Sequence, residues 1–469
     1  MLPDDALLEI FDFYVVGYQD LDLYDVLFFS DAGRKIQSWQ SLVHVCRRWR
    51  SIVFGSPRRL DLQLCCTPGR SAGKSLDVWP ALPLHIKGSV SETSVDNVIA
   101  ELKLSDRIYQ IDLACHTTSH FEKLLIAMQV PFPELALLLL SNMTSSCVSV
   151  LSDSFLGGSA PRLRFLYLHS IPFPGLPKLL LSTTHLVQLH LVKIPASGHI
   201  SPEAMATCLS MLTSLELFQL LFDSYPREIR RSLPPTRSIL PALTSFRFEG
   251  FKEYLEDLLS RIDSPRLDKL SAKFDGIVFD TPELNQFISR TPTLGAYDDA
   301  RLILYDSEAL VRLQSHPEPF DHRMVEVGVP CQMSDWQLFA LTQICTLLSR
   351  LLLTMENLYI HESLYSPADW DDDIENTDWL DLLLPFTAVK NLYLSKQFAP
   401  HIAPALRELA GARITGVLPA LQNVLLEGFQ PSEPVQEGIA QFVSARQLTN
   451  HPVAVSRWDR YRIDLTWEL

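Results

Sequence analysis

"LRFLYL" (Leu163–Leu168) and "LVQLHL" (Leu186–Leu191) decide the fold of this chain. Both read L-x-x-L-x-L, and their last three residues alternate apolar, variable, apolar. A period of two is the pattern of a strand with one buried face. The hexamer recurs outward in both directions: "LTSLEL" at Leu212, "LTSFRF" at Leu243, "MENLYI" at Met355, "VKNLYL" at Val389 and "LQNVLL" at Leu421, with weaker copies from Ile108, Leu135 and Leu267. Pro133, Pro161, Pro241, Pro265 and Pro419 each stand two residues ahead of a copy, where a fixed φ guides the chain into the strand without spoiling it. Starts from Leu135 to Leu267 lie 28, 23, 26, 31 and 24 residues apart. A unit of that length cannot bury its apolar face alone, so units must stack.

Helix signals fall between the strands. Ser201-Pro202-Glu203 and Thr281-Pro282-Glu283 each supply a capping hydroxyl, a proline for the first turn and an early acid. "KEYLEDLLSRI" from Lys252 puts Leu255, Leu258, Leu259 and Ile262 on one helical face. Strand and helix in series resemble a leucine-rich repeat of about ten units, and the expected fold class is α/β, an irregular solenoid with a curved parallel sheet and outer helices. The ninth position of each unit departs from the regular repeat, which carries Asn or Cys there. Here it holds Ile171, Ile194, Leu220, Phe251 and Phe429, so packing is expected to hold the turns.

If the leucines point into the core, the residues between them form a column on the other, concave face: Asp112, Leu139, Tyr167, His190, Glu216, Arg247, Ser271, Tyr359, Tyr393 and Leu425. Mixed aromatic and charged groups suit a protein-binding face, and Tyr167, His190, Glu216, Arg247, Tyr359 and Tyr393 are its candidate target-binding residues. A plain solvated sheet surface is the alternative.

The N-terminus reads differently. Pro3 is placed for a first helical turn, Asp4 and Asp5 suit its positive end, and Leu7, Leu8, Ile10, Phe11 and Tyr14 form an apolar face. Further on, Ile36, Trp39, Leu42 or Val43, Cys46, Trp49 and Ile52 or Val53 recur at three- and four-residue steps, the spacing of one helix face, ringed by Arg47, Arg48, Arg50, Arg58 and Arg59. Together Leu2-Pro3, Leu7-Leu8, Ile10-Phe11, Leu42, Val45-Cys46, Arg48-Trp49 and Ser56-Pro57 resemble the F-box, the short all-α module that docks on the Skp adaptor of cullin-RING ubiquitin ligases. The likeness is to F-box proteins of the fungal type with a repeat-like C-terminal region. It implies that Leu2, Pro3, Leu7, Leu8, Ile10, Phe11, Leu42, Val45, Cys46, Arg48 and Trp49 contact the adaptor. Residues 15–37 stand where the family has a tight turn. The expected domains are the F-box-like module at 1–60, a connecting segment with first strands at 61–105, and the solenoid at 106–469.

Composition narrows the function. Apolar residues make up 47% and charged residues 20%, so most of the 469 residues should fold. A net charge of -15 argues against general affinity for nucleic acid or anionic membranes. The eight cysteines, Cys46, Cys65, Cys66, Cys115, Cys147, Cys208, Cys331 and Cys345, lack C-x-x-C spacing and read as reduced, buried thiols. No signal peptide and no bilayer-length apolar run is evident, the nearest being "LALLLL" from Leu135, so an intracellular protein of cytoplasm or nucleus is expected.

Sites of chemistry fail on spacing. "PGRSAGKS" from Pro68 puts three residues between Gly69 and Gly73, one too few for a phosphate-cradling loop ending in Lys74 and Ser75. "DWDDDIENTDW" from Asp369 spaces Asp369, Asp371, Asp373 and Glu375 like a calcium loop, but Ile374 and Leu380 replace its Gly and Glu. The thirteen histidines show no zinc-binding pattern; His185 and His190 flank a strand and read as structural. No metal, cofactor or catalytic residue is expected. The family resemblance implies a non-enzymatic receptor that holds an unidentified protein target near a charged conjugating enzyme, with the Skp-family adaptor and a cullin as partners. The alternative is a repeat scaffold or sensor whose first helices only cap the solenoid.

Overall fold

The computed structural model describes residues 2–16, 39–57, 59–60, 62–69, 81–144, 150–172, 176–223, 237–275, 281–295, 297–315, 323–331, 333–363, 375–409, 414–428 and 433–459. The chain divides into two compact units, Met1–Leu215 with Phe222–Pro226, and Glu216–Leu221 with Arg227–Leu469. The insert at 17–37, the Arg70–Ser75 loop, Cys147, Asp369–Ile374 and Phe429 lie outside the described residues.

The first unit opens with three helices, α1 (Asp4–Val16), α2 (Trp39–Val43) and α3 (Arg47–Gly55). It continues in parallel strands: β1 (Leu64–Cys66), β2 (Leu84–Val90), β3 (Ile108–Cys115), β4 (Leu137–Asn142), β5 (Phe165–His169) and β6 (Gln188–Ile194). Each pairs with the next in chain order, and helices fill the crossovers at Val95–Leu102, Thr118–Ala127 and Leu176–Ser182, with Pro202–Met211 after β6. The first, fourth and sixth residues of the repeats are the core: Leu163, Leu166, Leu168, Leu186, Leu189 and Leu191 are all fully buried. Burying each such side chain contributes roughly 1.5–3 kcal/mol.

The second unit holds β7 (Leu217–Phe222), whose last residue belongs to the first unit, then β8 (Ser238–Ile239), β9 (Ser245–Phe251), β10 (Ile262–Asp263), β11 (Lys269–Asp275), β12 (Asp299–Leu304), β13 (Glu308–Gln314), β14 (Met324–Pro330), β15 (Asn357–Glu362), β16 (Asn391–Leu394), β17 (Asn423–Glu427) and β18 (Ala454–Trp458). Strand order is β7-β9-β11-β14-β13-β12-β15-β16-β17-β18, and β8 pairs with β10 apart from it. The sheet is parallel except at β14-β13-β12, an antiparallel meander whose outer strands still run parallel to β11 and β15. None of the expected repeat strands starts between Leu267 and Met355, so this meander interrupts the expected run of repeats.

One frame shifts. "LTSLELFQL" (Leu212–Leu220) contains two overlapping copies of the pattern, and the chain uses the one from Leu215, burying Leu215, Phe218 and Leu220 and pairing Gln219 with Arg247. Glu216 therefore falls before β7, and Gln219 takes its expected place in the column. Leu220, expected at a turn, is a core strand residue.

The two capping signals split. Ser201 Oγ accepts from the Ala204 amide at 3.2 Å, as expected. Thr281 Oγ1 makes no bond among the described residues; the buried Glu256 carboxylate accepts from the Glu283 and Leu284 amides at 2.9 and 3.0 Å, capping helix Pro282–Arg290 from the preceding helix. Ile171 and Ile194 are buried at their turns, but hydrogen bonds help: Asn142 donates to the Ser170 carbonyl at 3.2 Å, and the Ser170 amide to the Val192 carbonyl at 2.9 Å.

The stripe from Trp39 to Val53 is two helices, not one. The chain breaks at His44–Cys46, and Cys46 caps α3 by accepting from the Trp49 amide at 3.5 Å. Cys46 is accordingly exposed, and Cys65 and Cys331 are half-buried, which corrects the expectation that all the thiols are interior; Cys66, Cys115, Cys208 and Cys345 are buried.

Candidate binding faces and docking module

In the N-terminal module, α1 packs on α2 and α3 through Phe11, which is fully buried and meets the Trp49 ring at 4.7 Å between centroids. Leu7, Leu8, Leu42 and Val43 are buried beside it. Trp39 is buried too, and its indole donates to the Gln63 carbonyl at 3.0 Å, tying α2 to the segment before β1. Three arginines are occupied within the module. Arg48 binds Asp4 at 2.5 Å and the Leu2 carbonyl at 2.5 Å, Arg59 pairs with Glu9, and Arg50 donates to the Val43 carbonyl at 3.1 Å. Arg58 lies outside the described residues.

The expected adaptor-contacting residues thus divide. Leu7, Leu8, Phe11 and Leu42 are internal; Arg48 and Trp49 are half-buried; Leu2, Pro3, Ile10, Val45 and Cys46 are exposed. Ile10 is 51%, Val45 59% and Phe13 83% exposed. Three large apolar side chains left in water on a small helical module suit a surface that a partner covers.

On the first unit's sheet, the residues between the leucines align as expected: Lys87, Asp112, Leu139, Tyr167 and His190 are cross-strand neighbours. Lys87 and Asp112 form an ion pair at 3.2 Å. Burial outweighs the attraction of Lys87 and holds the Asp112 carboxyl above its usual range. His190 sits between the rings of Phe165 (5.1 Å) and Tyr167 (5.9 Å), with Gln188 Oε1 at 3.3 Å from its Nε2. His185, at the turn before, is exposed.

On the second unit's sheet the corresponding row is Gln219, Arg247, Ser271, Glu326, Arg312, Arg301, Tyr359, Tyr393, Leu425 and Ser456. The meander supplies its charged centre. Glu326 accepts from Ser271 Oγ at 2.9 Å and Arg312 Nε at 2.9 Å; burial pushes its pKa up, but Arg312, Ser271 and Lys273 outweigh that and hold it below the usual range. Arg301, 3% exposed, lies over the Tyr359 ring at 5.0 Å and, in the amide orientation that satisfies both groups, donates to Gln314 at 3.0 and 3.2 Å. Tyr359 and Tyr393 stack at 4.1 Å, with Trp458 edge-on to both at 5.9 and 5.5 Å. Tyr359 is only 6% exposed, so it is less a free contact residue than the expected column implies; Tyr393 and Arg247 remain half-exposed.

Two residues before this row runs a ladder absent from the sequence reading. Asn423 donates to Asn391 at 2.7 Å, Asn391 to Asn357 at 2.7 Å, and Asn357 to Asp299 at 2.8 Å. Its signal was in view: the third residue of "MENLYI", "VKNLYL" and "LQNVLL" is asparagine each time. Arg301, Arg312 and Glu326 carry no such signal, since they come from the meander.

Among the described residues no group of three or more His, Cys, Asp or Glu is placed to hold a metal ion, and no helix is long and apolar enough to cross a membrane. No protein-family model and no curated protein matches this sequence. Among solved structures the chain is similar to the leucine-rich repeat-containing protein LegL7 from Legionella pneumophila, with 11% identity over 81% of this chain and 97% of that one and a TM-score of 0.29.

Proposed function

We propose that this chain is a substrate-receiving subunit of a cullin-RING ubiquitin ligase, with α1–α3 docking on a Skp-family adaptor and the non-leucine faces of the sheets holding a protein target. The observation that carries this reading is the division of the N-terminal motif. Leu7, Leu8, Phe11 and Trp49 build a small helical module, while Leu2, Ile10, Phe13 and Val45 from the same stretch stay exposed. The chain itself makes and breaks no bond; holding a target beside the conjugating enzyme raises its effective concentration.

The test is capture of the purified Skp adaptor. Ile10→Glu with Val45→Glu should lower affinity at least tenfold while leaving the melting temperature unchanged, because both side chains already face water. Leu7→Asp is no substitute, since burying a charge there would unfold the module. Full-strength capture by the folded double variant rejects the reading. A second reading, that α1–α3 cap a scaffold with no ligase, is favoured by the Trp39–Gln63 bond, which fastens the helices to the strands. Absence of adaptor capture by the unaltered chain selects it.

A further inference from the structure

We infer that Arg247 and Lys269 form an anchor for an acidic side chain of the bound target on the second unit's sheet. Five described basic residues lie in β9 and β11–β14 on the face opposite the core: Arg247, Lys269, Lys273, Arg301 and Arg312. Three are occupied. Lys273 pairs with Glu308 at 2.8 Å, Arg312 with Glu326 at 2.8 Å, and Arg301 with Gln314 and the Tyr359 ring.

Arg247 and Lys269 are different. They stand on adjacent strands in diagonal register, Ser245 facing Lys269 and Arg247 facing Ser271. Diagonal neighbours lie within reach of one group held between long side chains. Neither has an ion-pair or hydrogen-bond partner among the described residues, and Arg247 Nε is buried with no acceptor. The neighbouring acceptors are committed elsewhere: the Ser271 hydroxyl donates to Glu326, and both Glu326 oxygens are engaged, one by Ser271 and one by Arg312. Glu249, the one acid on β9, is exposed and makes no ion pair with either cation among the described residues. A guanidinium N–H withdrawn from water without an acceptor is costly, and an incoming oxyanion removes that cost while Lys269 adds attraction. The group is a carboxylate or a phosphorylated hydroxyl on an extended segment, both of which match the planar donor fork of arginine.

The inference rests on this face being the target face and is independent of adaptor docking. It is tested with the full chain and three pools of twelve-residue peptides, randomised around a central glutamate, phosphoserine or alanine, at low ionic strength. The unaltered chain should retain the glutamate pool, the phosphoserine pool or both at least tenfold over the alanine pool, and which is retained identifies the source of the anion. Arg247→Gln with Lys269→Gln should abolish the preference with circular dichroism unchanged, Arg247→Lys should keep part of it, and added salt should weaken it. Equal retention of all three pools, or a preference that survives the double variant, overturns the inference. Adaptor capture by the same double variant stays at full strength if the docking reading holds, so the two failures are distinguishable.

Discussion

At the scale of single residues, the consequential groups are polar side chains that the fold buries. Glu101, 1% exposed at the end of helix Val95–Leu102, has no partner among the described residues for either carboxylate oxygen. Burial alone raises its pKa to about 7 from 4.5. The folded state therefore holds a proton that the unfolded chain gives up, so stability is full below pH 4.5 and falls as pH rises toward 7. The expected loss is on the order of 2–3 kcal/mol, and Glu101→Gln should remove that part of the pH dependence in denaturant melts between pH 5 and 8. An unchanged slope would mean that Glu101 is solvated or paired. His85, also buried without a partner among the described residues, goes the other way: burial and then Lys87 push it down to about 3, so below pH 6.5 the unfolded chain takes up a proton that the folded chain does not and stability falls as pH drops, a contribution common to the unaltered chain and Glu101→Gln that cancels in their difference.

At the scale of elements, the β7 frame shows what a pattern can and cannot decide. Both frames of "LTSLELFQL" place apolar residues at the three required positions, and only packing against the next strand separates them. The structure pairs Phe218 with Phe246 as stacked rings 5.3 Å apart, an aromatic match that the earlier frame would lose. Phe218→Ala should accordingly cost about 3–5 kcal/mol, whereas the half-exposed Leu217→Ala should cost less than about 1 kcal/mol; the reverse order in urea melts would restore the earlier frame. Strands such as Phe165–His169 and Asn391–Leu394 were legible because each carries its three leucine-type anchors locally. The meander was not, since Arg301 and Glu326 are buried, and Arg312 half-buried, by pairing with one another's strands and with Ser271 and Tyr359, contacts between residues as much as 58 positions apart. The break in the Trp39–Val53 stripe was hidden for the opposite reason: helical spacing continues across it, and Cys46 acts as a cap, a role that its side chain fills only weakly.

At the scale of the whole chain, the two proposed recognition surfaces are built from different residues. Ile10 and Val45 belong to the first unit, Arg247 and Lys269 to the second, and each unit has its own buried core. Changes at sites without shared partners add to within about 0.3–0.5 kcal/mol. Combining Ile10→Glu and Val45→Glu with Arg247→Gln and Lys269→Gln should therefore lower adaptor affinity by the factor of the first pair alone, and acidic-peptide affinity by the factor of the second alone. A core change breaks this independence within its own unit: Leu189→Ala removes a fully buried anchor of β6 at a cost of about 2–5 kcal/mol, and should lower the first unit's thermal stability as well as any binding that depends on its fold. Calorimetry of the four-residue variant against both probes decides the matter. If the second pair weakens adaptor capture in a folded protein, the two surfaces are coupled, and a receptor that separates docking from recognition is the wrong description.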